Sequence, residues 1–123
     1  MKAYTDIEQS KKLAEILPLE SADMYWWYSG RRYYIEAIDD GDFNEKGDIR
    51  AWSLASLLEQ LPYELCDDDG NSTYLQMNKD DDLYQLVYTE PYDNFESIET
   101  NRYEHFVDAC YELILKLYEL NLL

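Results

Sequence analysis

The chain has 123 residues, 46% of them apolar and 15% aromatic, with 27 Asp and Glu against 10 Lys and Arg, a net charge of −17. That length suits one domain that buries a core without metal or disulfide staples, and the aromatic content excludes a disordered chain. The charge disfavours phosphate backbones and anionic membranes, and it is uneven: residues 1–50 carry −4, residues 51–123 carry −13.

In chain order, Thr5 and Glu8 have the spacing of a capping box, Ile7, Leu13, Ala14, Ile16 and Leu17 make an apolar stripe, and Pro18 follows. Together they predict a helix over about residues 5–17. The run MYWWYSGRRYYIEAI reads as two strands around a Ser29-Gly30 turn, pairing Tyr28 with Arg31, Trp26 with Tyr33 and Met24 with Ile35. The period of two puts Met24, Trp26, Tyr33 and Ile35 on one face, expected to be core. It puts Tyr25, Trp27, Arg32 and Tyr34 on the other.

Residues 39–48 read as a polar loop. A second helix is predicted over about 53–61, with Ser53 as N-cap, a stripe of Leu54, Leu57, Leu58 and Leu61, and Pro62 as its stop. Tyr63–Cys66, Thr73–Met77 and Leu83–Thr89 form a meander whose turns hold the Asp triplets, and residues 90–100 read as irregular. A last helix over about 102–120 carries Phe106, Ala109, Cys110, Leu113, Ile114 and Leu117 at helical spacing, with Val107, Tyr111 and Tyr118 widening the surface enough for burial on more than one side. The order α-β-β-α-β-β-β-α, joined by tight turns, predicts a single α+β domain with a mostly antiparallel sheet and helices on one face.

The stretches IEQSKKLAEILPLESADMYW (7–26), AWSLASLLEQLP (51–62) and VDACYELILKLYELNLL (107–123) resemble a family of small proteins without assigned function, encoded in genomes of gut Bacteroidales and their mobile elements. The resemblance implies a bacterial, mobile-element origin and brings no activity with it. This chain departs from the family pattern with Arg50 where the family has Pro, and with His105-Phe106 where the family has Asn-Pro. The second departure removes a helix-start signal, so the last helix is expected to begin earlier, capped by Asn101.

Candidate chemistries fare poorly. Asp40, Asp42 and Asn44 match the first ligand positions of an EF-hand loop, but Glu45 stands where the turn needs Gly and Ala51 where a bidentate Glu belongs. The triplets Asp67–Asp69 and Asp80–Asp82 lack the spacing too, and read as solvated turns. One histidine and two isolated cysteines, without Cys-x-x-Cys, make no transition-metal site. If both lie in one helix, His105 and Cys110 diverge by roughly 140°. Cys110, on the apolar stripe, is expected to be an inert thiol. The scattered glycines form no phosphate-binding loop. The expectation is no catalytic residue, no cofactor and no metal.

The stretch MKAYTDIEQSKKLAEILPLE lacks the apolar run of a secretory signal, and no segment nears the roughly 18 apolar residues of a membrane span. With so few cysteines, a reduced cytoplasmic protein is expected, with no membrane and no direct nucleic-acid contact.

The most specific local candidate is the hairpin face of Tyr25, Trp27, Arg32 and Tyr34. It has the composition of a protein hot spot, and that of a base-stacking platform opposed by the net charge. The bland alternative is that another segment, such as residues 90–100, covers it. The leading expectation is a non-enzymatic protein-interaction module, monomeric or homodimeric, whose partner is another protein and a basic one if the acidic surface is used. The runner-up is an acidic DNA mimic or nuclease-neutralising inhibitor of the anti-restriction or immunity kind, because carboxylates along a surface can imitate the duplex field. A third reading, an enzyme using a carboxylate pair, needs two acids converging in a cleft.

Overall fold

The computed structural model describes residues 2–38, 48–66, 70, 72–88 and 98–123. In chain order the elements are α1 (Ile7–Ala14), β1 (Met24–Ser29), β2 (Arg32–Ala37), β3 (Ile49–Ala51), α2 (Leu54–Gln60), β4 (Glu64–Cys66), β5 (Ser72–Asp80), β6 (Leu83–Tyr88), β7 (Ile98–Glu99) and α3 (Phe106–Glu119), with a short 3₁₀ turn at Leu19–Ser21. The architecture is α+β, and every strand pair among the described residues is antiparallel. The strands divide into two sheets, β2-β1-β3 and β4-β5-β6-β7.

The core explains that division. Its buried members come from α1 (Leu13), α2 (Leu57), the four-stranded sheet (Leu65, Leu86, Tyr88) and α3 (Val107, Cys110, Leu113, Ile114, Leu117). The register sets Leu65, Leu75, Leu86 and Tyr88 on one face of the sheet, and that face meets the helices. The three-stranded sheet joins at its borders, through Ala22, Ile38 and Trp52. α3 is buried along Val107, Ala109, Cys110, Leu113, Ile114 and Leu117, an arc wider than one stripe, because it packs on both α2 and β6. Each large apolar side chain enclosed this way contributes roughly 1.5–3 kcal/mol.

α1 starts one residue later than its Thr5 signal suggests. Asp6 is the N-cap: its carboxylate accepts from Gln9 N at 2.8 Å, and Gln9 Oε1 accepts from Asp6 N at 3.1 Å. Thr5 is fully buried and spends its hydroxyl elsewhere, exchanging a 2.7 Å bond with Ser10 Oγ and accepting from Trp52 N at 3.1 Å. The helix ends at Ala14 rather than near 17, although Leu17 still enters the core.

The hairpin turns at Gly30-Arg31, one residue beyond the expected Ser29-Gly30, so Ser29 faces Arg32, Tyr28 faces Tyr33, Trp27 faces Tyr34 and Trp26 faces Ile35. Gly30 sits at φ 69 in the first central position, as a type II′ turn requires, whereas the expected turn puts Ser29 there. Moving the turn by one residue changes every cross-strand partner and leaves both faces intact, because both strands keep their parity. The face of Met24, Trp26, Tyr33 and Ile35 is only partly core-like: none of the four is buried, and Tyr33 stays 40% exposed. Trp26 is the best placed, donating Nε1 to the Thr5 carbonyl at 3.0 Å and meeting the Tyr4 ring edge-on.

Residues 49–51, outside the expected elements, form β3 against β1. Residues 98–99, expected to be irregular, form β7 against β6. α2 matches its signals, with Ser53 Oγ accepting from Ser56 N, but Leu58 is exposed while Leu57 and Leu61 are buried. β5 runs on to Asp80 and turns through Asp81 and Asp82 at φ 47 and 66, the left-handed pair of a type I′ turn that aspartate tolerates.

α3 starts at Phe106, not earlier. Asn101 does not cap it; its backbone N and Nδ2 donate instead to the Glu112 carboxylate at 2.7 and 3.0 Å. The helix ends in a Schellman turn. Asn121 lies at φ 58, with its N donating to the Tyr118 carbonyl at 3.1 Å and Leu122 N donating to the Leu117 carbonyl at 2.8 Å.

Candidate interaction surface

The aromatic hairpin face is built by register. β-branched and aromatic side chains favour the two strands, and Gly30 fixes which residues oppose each other. Trp27 and Tyr34 then stack across the strands, ring centroids 4.9 Å apart and planes 26° from parallel. The Arg32 guanidinium lies 4.7 Å from the Tyr34 ring centre, an arrangement worth roughly 0.5–1 kcal/mol at an exposed site. On the same face the Tyr25 hydroxyl donates to Glu36 at 2.9 Å, and Arg50 of β3 stands opposite Tyr25 while donating to the Leu19 carbonyl. All four predicted face residues are thus brought together, three of them as one Arg32–Tyr34–Trp27 stack.

Trp27 is half-buried, and its indole Nε1 is closed from solvent without a hydrogen-bond acceptor among the described residues. Most of the stretch expected as a possible cover, 90–97, lies outside the described residues, as do Asp40, Asp42 and Asn44 of the calcium-like loop and the triplet Asp67–Asp69. Among the described residues no group of three His, Cys, Asp or Glu side chains is arranged to hold a metal.

The remaining reactive side chains are placed as follows. Cys110 is buried, and burial pushes its thiol up to about 12, so it is not a nucleophile at neutral pH. Cys66 is exposed, its Sγ 3.3 Å from Glu64 Oε1 and 3.4 Å from Ser72 Oγ; hydrogen bonds from Ser72 and Cys66 hold the Glu64 carboxyl below its ordinary value. His105 precedes α3 and accepts from Lys2 N at Nδ1, at 3.4 Å, away from the buried Cys110. Lys2 Nζ bridges Asp6 and Asp108 at 3.1 and 2.7 Å. Burial alone would lower the Lys2 pKa, but hydrogen bonds to Asp108 and Asp6 outweigh it and hold the ammonium above its ordinary value.

Three surface features escape sequence reasoning. Tyr63 and Tyr74 pair 5.4 Å apart and stand 73% and 46% exposed. Tyr28 and Tyr33 pair 5.1 Å apart at the hairpin tip. An open cleft of about 370 Å³ is lined by Lys79, Asp82, Tyr84, Glu104 and His105. The first and third join residues from separate segments, which no local pattern marks; the second follows from the moved turn, which sets Tyr28 opposite Tyr33.

No helix among the described residues is long and apolar enough to cross a membrane. Comparison with protein-family models, with curated proteins and with solved structures finds no match.

Proposed function

We propose that the chain is a non-enzymatic protein-interaction module that binds another protein through the hairpin face of Tyr25, Trp27, Arg32 and Tyr34. The observation that carries this reading is the Arg32–Tyr34–Trp27 stack, 4.7 and 4.9 Å between successive groups. Trp and Tyr are enriched in binding hot spots because they bury much area with few rotors, and Arg because its planar guanidinium stacks on rings and donates in a fixed fork. Here the stack already orders those rotors, so less side-chain entropy is lost on docking.

The test is affinity capture from native lysate by the wild-type chain and by Trp27→Ala and Arg32→Ala, each checked for an unchanged circular dichroism spectrum. A protein held by the wild type and released by both variants supports the reading. A protein held equally by all three, or no captured protein together with turnover on a substrate panel, overturns it.

A further inference from the structure

Among the described strands β2 is the outermost of its sheet, and no described residue hydrogen-bonds to its outer edge. The two-residue turn makes Ser29 and Arg32 a hydrogen-bonded pair, so the alternation of an antiparallel ladder sends the backbone groups of Arg32, Tyr34 and Glu36 inward to β1. The amides and carbonyls of Tyr33, Ile35 and Ala37 point outward. Such an edge, six residues long, β-prone and without proline or a bulge, templates pairing with another strand unless something opposes it.

We propose that this edge pairs with itself, joining two copies of the chain about a two-fold axis into a sheet of order β3-β1-β2-β2-β1-β3. Charge complementarity selects both the occupant and the register. Antiparallel self-pairing must bring outward groups together, so Tyr33 can face Tyr33, Ile35 can face Ile35, or Tyr33 can face Ile35 of the second copy. In the last of these, Tyr34 meets its own copy at the axis. Arg32 then lies opposite Glu36 of the second copy twice, at non-hydrogen-bonded positions where Cα atoms come within about 4.5 Å. The neighbouring registers set Arg32 or Glu36 against Tyr34 and lose both ion pairs. One step further puts Arg32 on Arg32 or Glu36 on Glu36.

Long-range charge favours the same place. A chain of net −17 repels its copy, but residues 24–37 hold Arg31 and Arg32 against Glu36, a net of +1, so the other residues carry −18. Two copies meeting here join through a segment that brings no net negative charge of its own. The joined sheet also extends one aromatic row across the axis, Trp27–Tyr34–Tyr34–Trp27. The pairing uses the backbone edge of β2 rather than its side-chain face, and stands apart from whether that face binds a different protein.

The test is sedimentation over a dilution series of the wild type, of Arg32→Glu, of Glu36→Arg and of the two variants mixed. The wild type dimerises, each single variant weakens the dimer about tenfold or more by setting like charges across the axis, and the mixture restores it because each variant supplies what the other lacks. A wild type that stays monomeric at every concentration, single variants that dimerise as well as the wild type, or a mixture that stays monomeric overturns the proposal. Should a variant lose its fold, amide exchange of the wild type answers the same question. The amides of Tyr33 and Ile35 gain protection with concentration while those of Tyr34 and Glu36 do not; exchange independent of concentration at all four overturns the pairing.

Discussion

Trp27 and Tyr34 lie directly opposite each other on β1 and β2, and their rings stack 4.9 Å apart. A turn at Ser29-Gly30 puts Arg32 opposite Trp27 instead, so the stack exists because Gly30 takes the first central position of the turn. An aromatic pair of this geometry contributes roughly 0.5–1.5 kcal/mol beyond the area it buries. A double-mutant cycle of Trp27→Ala and Tyr34→Ala, read by urea denaturation, returns a coupling in that range. Additive single effects show that the rings touch without stabilising the hairpin.

Thr5 ties α1 to the strand-and-helix junction at Trp52 through Oγ1 and through its own amide, which donates to the Trp52 carbonyl at 3.0 Å. Thr5→Ala leaves the buried Trp52 amide without its acceptor and costs about 1–3 kcal/mol. Thr5→Ser keeps the hydroxyl and recovers most of that. Urea midpoints of the two variants measure the difference, and equal losses would assign the effect to the methyl group.

Stability falls on the alkaline side because burial holds two groups in their neutral forms. Burial pushes the Cys110 thiol from its ordinary 9.0, and the Tyr88 hydroxyl from 10.0, each up to about 12. The folded chain therefore holds both protons more tightly than the unfolded chain. The contribution is complete below the unfolded values and is lost as pH rises through about 12. Denaturation midpoints decline from about pH 9 upward, and Cys110→Ala flattens the first part of that decline at the expense of a small cavity. A decline unchanged in this variant shows that other groups govern it.

Asn121 holds a left-handed conformation at the end of α3. Asn121→Gly, free of a Cβ, raises stability by a few tenths to about 1 kcal/mol, and Asn121→Val lowers it by about 1 kcal/mol or more. Thermal melting reads both, with opposite signs.

The thiols separate by exposure. In the native chain an aromatic disulfide reagent modifies Cys66 promptly and leaves Cys110 untouched; in denaturant both react. Fast reaction of both thiols in the native chain contradicts the burial of α3.

Local pattern alone carried α2, the β4–β6 meander and the buried arc of α3, because periods of 3.6 and 2 need no knowledge of the partner surface. It also carried the two faces of the hairpin, since parity survives a moved turn. Tertiary structure decided the cross-strand pairs, and with them the Trp27–Tyr34 stack, because turn geometry picks one register among several of equal pattern. It decided the helix caps as well: Thr5 was captured by Trp52 and Asn101 by Glu112, leaving Asp6 and a bare His105 to begin their helices. β3 and β7, three and two residues long, have no period to read and exist through the ladders of β1 and β6. Sequence spacing tells which side chains share a face, whereas only the packed chain tells which of them meet.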